Sequence, residues 1–143
     1  MSTPEIPREH ADRWELHPLR GVRVTRITVD DRIVLALGPD WEVVLEAPAA
    51  LSYETADALP PVRLHPESQD VAEALPLVGA RVLSATASTS GTLSLVFDAG
   101  RHLTCPPDPS FEAWQVTGPS GWRFVALPGG ELAAWSGLAT EES

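Results

Sequence analysis

Three carboxylates in the C-terminal half of the chain, Asp108, Glu112 and Glu131, are candidates for acid–base chemistry. Asp108 lies in a Pro-Asp-Pro turn, and Trp114 follows close behind it. Paired carboxylates can donate and accept a proton in turn, and an indole beside them could hold a ligand. An Asp in a turn, however, usually accepts hydrogen bonds from nearby backbone amides, so a structural role is the simpler interpretation of Asp108.

The other reactive residue types form no recognised catalytic pattern. Cys105 lies three residues after His102, so on a strand the two side chains point to opposite faces. Ser52, Ser90 and Ser110 lack the Gly-x-Ser-x-Gly context of a hydrolase nucleophile. No two histidines have a metal-binding spacing on a strand or helix: His10, His17, His65 and His102. The sequence therefore predicts no catalytic residue, no metal site and no cofactor.

Tryptophan and arginine offer a different chemistry, which is protein recognition. These two residue types dominate the energetics of interfaces, and Trp122 and Arg123 are adjacent. Most Trp side chains are buried in cores, but two exposed ones near Arg123 would form an anchor patch for a partner. The predicted binding residues are Asp108, Glu112, Trp114, Trp122, Arg123 and Glu131.

Composition limits the partners. The chain has 143 residues, a length typical of one domain, and a formal net charge of −10. All ten basic residues are Arg. Acidity disfavours nucleic acid and anionic membranes and suits a basic protein, although it can also serve solubility alone. A single Cys and the lack of a signal-peptide pattern predict a cytoplasmic protein.

An internal duplication is the strongest architectural signal. Residues 19–54 and 77–112, aligned without a gap, are identical at 12 of 36 positions. Chance would give roughly two or three identities. In this alignment Glu54 matches Glu112, and Ala47 matches Cys105. Each copy has three short alternating patterns separated by turns, which predicts a three-stranded antiparallel meander.

The sequence thus predicts a mainly β fold, a sandwich or small barrel, with the two meanders related by a local two-fold axis. One short helix joins them, with Val71, Ala74, Leu75 and Val78 on its inner face, and a hairpin ends the fold. Within a single domain spanning 1–143, the expected parts are a loose tail (1–18), copy one (19–54), a connector with the helix (55–76), copy two (77–112), C-terminal strands (113–135) and a second tail (136–143).

The run from Pro106 to Gly121 reads Pro-Pro-Asp-Pro-x-Phe-Glu-Ala-Trp and then Gly-Pro-x-Gly. Residues 127–135 read Leu-Pro-Gly-Gly-Glu-Leu-Ala-x-Trp. Together these two stretches resemble a family of small uncharacterised bacterial proteins. That resemblance implies no established activity. In size and acidity the chain is also similar to immunity proteins, which neutralise secreted toxins.

Three hypotheses follow for function. The first is a non-enzymatic protein-interaction module, immunity-like or regulatory, with a basic partner; reversing the outward acids Glu42 and Glu46 should then weaken binding. The second is a small-molecule-binding or hydrolytic β-barrel that uses Asp108, Glu112 and Trp114. The third is a homodimer formed by pairing of sheet edges.

Overall fold

The computed structural model describes residues 6–53, 62–66 and 72–136, which form two antiparallel β-sheets around one core. Sheet one has the strand order β1-β2-β8-β9-β10-β6-β7, and sheet two has the order β13-β12-β11-β5-β4-β3. The strands are β1 Arg8–Glu9, β2 Arg13–Glu15, β3 Val24–Val29, β4 Ile33–Leu37, β5 Trp41–Leu45, β6 Ala49–Tyr53, β7 Val62–Leu64, β8 Val82–Ser88, β9 Leu93–Phe97, β10 Arg101–Cys105, β11 Trp114–Thr117, β12 Arg123–Leu127 and β13 Glu131–Trp135. The predicted mainly β sandwich is confirmed.

The core lies between the sheets and is built by alternation. In β4, Ile33, Leu35 and Leu37 are fully buried, while the residues between them are half-buried. β9 repeats the pattern. Because successive side chains of a strand point to opposite faces, every second residue of each central strand enters the core. Burial of these apolar side chains is the main source of stability of such a fold.

The two predicted meanders are present, one in each sheet. Strands β3-β4-β5 form the first and strands β8-β9-β10 form the second. The strand after each meander crosses to the other sheet. Thus β6 pairs with β10, and β11 pairs with β5. Each half therefore completes the sheet of the other half.

A local two-fold axis passes between Arg23 and Arg81, which form an isolated antiparallel bridge. The backbone N–H of Val24 donates to Ala80 O, and that of Val82 donates to Val22 O, both at 2.9 Å. Exchanging the two halves converts one of these bonds into the other. Both first strands of the meanders also carry a bulge at the same point, between Val24 and Arg26 in β3 and between Val82 and Ser84 in β8.

The gap-free alignment of the halves is wrong beyond these first strands. Leu35 pairs with Ile27 and Leu95 pairs with Ala85, so Leu35 corresponds to Leu95 rather than Leu93. The shift arises because three residues lie between the paired residues Val29 and Ile33, whereas five lie between the paired residues Ala87 and Leu93. By the same registers Cys105 corresponds to Leu45, and not to Ala47.

The loop before β11 in the second half is also longer than the loop before β6 in the first half. The gap-free alignment of Glu112 with Glu54 is therefore wrong. Three residues separate β5 from β6, whereas eight separate β10 from β11. The inserted residues carry the Pro-Asp-Pro turn. Glu112 therefore precedes its crossing strand, whereas position 54 follows β6 and lies outside the described residues.

The prediction of a loose N-terminal tail is wrong for residues 6–18. Strands β1 and β2 form a hairpin, and β2 pairs with β8 at the edge of sheet one. Leu16 is fully buried, and the Trp14 ring contacts Trp122 and Phe124 edge-on, with centroids 5.7 and 5.3 Å apart. These polar strands alternate too weakly to be recognised from the sequence, and burial of Trp14 and Leu16 holds them in place. The second predicted tail lies outside the described residues after Ser136.

The predicted helix is a short 3-10 helix, Ala72–Leu77, with Pro76 inside it. Its buried residues are Ala74 and Leu77, while Leu75 and Val78 are exposed. The predicted inner face was therefore wrong, because side chains three apart share a face in a 3-10 helix. Val71 lies outside the described residues. No helix in the described ranges is long and apolar enough to cross a membrane.

Candidate functional site

Asp108 is part of a junction between three turns. Its Oδ1 accepts a hydrogen bond from the Ser110 N–H at 2.8 Å, and its backbone carbonyl accepts one from Gly129 N–H at 2.9 Å. A side chain on Gly130 would lie 3.3 Å from Ser90 O. The Pro-Asp-Pro turn, the Pro-Gly-Gly turn and the tip of the β8–β9 hairpin thus meet, and Asp108 has the structural role that its turn context indicated.

Trp114 anchors this junction from inside the core. Its ring is fully buried, and its Nε1–H donates to Gly91 O at 2.9 Å. Gly91 sits close to Pro107, since a side chain there would lie 3.2 Å from Pro107 Cβ. A side chain closed to water with its one polar atom bonded to backbone cannot touch a ligand. Trp114 therefore has no accessible surface for the binding role predicted for it.

The other predicted binding residues do not converge on one surface. Trp122 faces inward and stacks on Phe124, with ring centroids 5.8 Å apart. Glu112, Arg123 and Glu131 are exposed. Arg123 lies over the ring of Trp135, 5.5 Å from its centroid, and Trp135 is 44% exposed. The exposed tryptophan beside Arg123 is therefore Trp135, which was not among the predicted binding residues.

The described residues do not assemble the predicted carboxylates around a cavity. The main cavities of the structure are lined by other residues. His102 points outward and Cys105 inward from β10, as their spacing predicted. Burial raises the pKa of the Cys105 thiol to about 12. No group of three or more potential metal ligands is found in the described ranges.

One polar cluster escaped the sequence reasoning. The β1–β2 hairpin brings His10 Nε2 to 2.6 Å from Glu15 Oε1, and His17 Nε2 lies 3.0 Å from Glu15 Oε2. Arg13 Nη2 lies 3.2 Å from the same carboxylate. The spacing along the chain hides this cluster, because the hairpin register brings its members together. It ties the hairpin to the turn before β3.

The outer face of sheet two carries an ordered row of residues, one from each strand. The β-ladder registers connect them in sequence across the sheet. We call this the charged row: Arg26, Ala36, Glu42, Thr117, Arg123 and Trp135. At the usual strand spacing it extends about 24 Å. Four of its members are exposed, and these are the three charged residues and Trp135.

A second row runs beside it, also one residue from each strand: Thr28, Val34, Val44, Gln115, Val125 and Ala133. We call it the apolar row. Val44 and Val125 point away from the main core but are only 4% and 2% exposed. Arg123 Nη2 donates to Gln115 Oε1 at 2.9 Å, which links the two rows. The outer face thus has a closely packed apolar strip with charged and aromatic groups alongside it.

The corresponding row of sheet one is polar instead. Its registers align Glu15, Thr86, Ser94, Thr104, Ala50 and Arg63. Hydroxyl side chains of this kind are well solvated, so this face resembles ordinary protein surface. The apolar and aromatic composition of its rows therefore distinguishes the outer face of sheet two from that of sheet one.

A groove of about 600 Å³ opens at the Arg26 end of the charged row. Arg26, Ala36, Glu42 and Thr117 line it, with Asp40 and Trp41 at its end. A second cavity of about 380 Å³ lies on the other side of the Pro39–Trp41 segment. The Trp41 ring packs on Gly118, where any side chain would come within 2.6 Å of three ring atoms.

A family model matches residues 15–136, from strand β2 to the end of β13, and its description is a family of unknown function (DUF6188). The chain belongs to this family. No curated protein and no solved structure matches the chain. The family match covers both the three-turn junction and the two rows of sheet two, whereas His10 and Arg13 of the polar cluster lie before its first residue. A family of unknown function is consistent with the sequence resemblance, which also implied no established activity.

Proposed function

We propose that the protein is a non-enzymatic interaction module that binds a partner protein through the outer face of sheet two. The observation that carries the proposal is the charged row, whose exposed Trp135 and Arg123 stack at one end. Trp and Arg are the residues most enriched at the energetic centres of interfaces. Arg123 and Trp135 already contact each other in the free protein, so this anchor needs little reorganisation on binding.

The partner is a protein with a basic surface. The chain carries a net charge of −10, which attracts such a protein over long range and raises the association rate at low salt. Glu42 and Asp40 place negative charge beside the groove at the far end of the row. Arg26 and Arg123 alternate with Glu42 along the row and would set the register of docking. An immunity-like or regulatory role is compatible with this arrangement.

The residues predicted for the small-molecule or hydrolytic alternative do not form a common site. Trp114 is closed to water, Asp108 holds a turn, and Glu112 is exposed away from the cavities described above. The groove near Trp41 is open and polar, whereas small-molecule sites are mostly enclosed and apolar. These features favour the interaction module.

The test begins with affinity capture of the tagged protein from its source cells, followed by affinity measurements with the purified partner. Trp135→Ala should weaken binding at least about tenfold, as expected of an interface anchor. Glu42→Arg should slow association and reduce its dependence on salt. Arg63→Glu, a charge reversal at an exposed site of sheet one, is the matched control and should change affinity little.

Two results would overturn the proposal. One is a well-folded wild-type protein that captures no stoichiometric partner. The other is a partner whose affinity is unchanged by Trp135→Ala and Glu42→Arg but reduced by Arg63→Glu, since this would place the contact on sheet one.

A further inference from the structure

Among the strands that the structure describes, the two sheets have four edges, and three of these are protected against pairing with another chain. In sheet one, β1 has two residues and β7 has three, and very short edge strands are a common protection. In sheet two, β3 carries a bulge and is bridged through Arg23 to the other half. A bulge twists an edge away from further pairing.

Strand β13 is the fourth edge and has none of these features. It has five residues in continuous register with β12, without a bulge. It contains no Pro and no Lys, and Glu131 at its start is its one charged residue. No other strand in the described part of the chain pairs with its outer side. Such a regular, largely apolar edge is suited to accept another strand.

The sequence of β13 is complementary to itself when it is paired antiparallel about Ala133. Ala133 then faces Ala133 of the second copy, and small side chains allow close approach on the axis. Leu132 faces Ala134 of the second copy, and both belong to the side that packs on the core. Glu131 faces Trp135 of the second copy, whose ring lies against Arg123. The one acidic residue of the strand thus comes close to an arginine of the other copy.

We propose that the protein forms a homodimer in which two β13 strands pair antiparallel about Ala133. The two six-stranded sheets become one continuous sheet, with the outer faces of both copies on the same side. The contact between Glu131 of one copy and the Arg123–Trp135 pair of the other fixes the register at both ends. The dimer shares the Arg123–Trp135 pair with the proposed partner surface, but it is measured on the purified protein alone, so either proposal can fail without the other.

The position of Ala133 on the two-fold axis gives a test that few other interfaces would satisfy. Sedimentation equilibrium of the wild-type protein should show a monomer–dimer equilibrium. Ala133→Glu and Ala133→Lys should each weaken the dimer at least about fivefold, because either substitution places like charges directly opposite each other. An equimolar mixture of the two variants should form mixed dimers, detected by native mass spectrometry, because the introduced charges are then opposite.

A second set of variants tests the ends of the strand. Glu131→Arg and Arg123→Glu should each weaken the dimer, and the double variant should recover much of the affinity because the opposed charges are exchanged. Glu42→Arg makes the same charge change on the same face but in β5, three strands away from the edge strand β13, so it should leave the dimer unchanged.

Oxidative trapping provides an independent measurement. Opposed residues of an antiparallel pair have Cα atoms about 4.5–5.5 Å apart, within reach of a disulfide. Oxidised A133C should therefore give a covalent dimer, and the buried Cys105 should not compete. Three results would overturn the proposal: a wild-type protein that stays monomeric at high concentration, a dimer insensitive to both Ala133 charge variants, or a double charge exchange that fails to restore association.

Discussion

Substitution of Trp114 by Phe distinguishes the structural role of this residue from the binding role that its sequence context suggested. The change removes about three ring atoms from a fully buried site, which costs roughly 2 kcal/mol in lost burial and cavity formation. It also leaves Gly91 O without its indole donor inside the core, which costs about 1–3 kcal/mol. The free energy of unfolding should fall by about 3–5 kcal/mol, a large part of the 5–15 kcal/mol typical of a domain.

The assay is urea unfolding followed by far-UV circular dichroism, with thermal unfolding as a second measure. At roughly 3 °C per kcal/mol for a chain of this size, Tm should fall by about 9–15 °C. Trp135→Phe is the matched control: the same atoms are removed from a half-exposed site, and the loss should stay below about 1 kcal/mol. If Trp114→Phe costs less than its control, the junction does not depend on this indole and our assignment of its role is incorrect.

Two further predictions concern residues near the same core. Gly118→Ala should lower the free energy of unfolding by about 1–3 kcal/mol because its methyl group would lie 2.6 Å from Trp41 ring atoms. In a Trp41→Leu background the loss measured by urea unfolding should nearly vanish. An undiminished loss would contradict the clash. Because the pKa of Cys105 rises from its ordinary 9.0 to about 12 on folding, the thiol stays protonated in the native state. The native protein should therefore resist thiol reagents at neutral pH and should lose stability as pH rises above 9, where only the unfolded state ionises; rapid labelling without unfolding would refute this.

The strands of the core could be predicted because their alternation is strong. Each central strand buries one side, so its apolar residues alternate along the sequence and predict the inward face. This holds for Ile33, Leu35 and Leu37 in β4 and for Leu93, Leu95 and Phe97 in β9. Loop lengths could not be predicted in this way. The longer β8–β9 turn changes which residues of the two halves correspond, and a gap-free alignment cannot detect it.

The candidate site was less predictable because it depends on register between distant strands. Glu42 could be predicted to point outward from its own strand, but its alignment with Thr117 and Arg123 requires the pairing of β5 with β11 and of β11 with β12. The motif around Asp108 and Trp114 was visible in the sequence, and its Pro-Asp-Pro context favoured a turn, but it left a ligand site open as an alternative. The hydrogen bond from Trp114 to Gly91 decides between them, and it spans 23 residues of chain.

The crossing of β6 and β11 between sheets has a consequence for the origin of the fold. The crossing strand of each half pairs with the third strand of the other half's meander, in the β6–β10 and β11–β5 ladders. A polypeptide carrying only one such half would leave that strand without a partner within its own chain. Two identical polypeptides could supply it to each other by reciprocal domain swapping, with a true symmetry axis where the local one now passes between Arg23 and Arg81. Gene fusion of such a swapped pair would produce the present topology directly and would free each half to diverge, as the Pro-Asp-Pro insertion in one half illustrates.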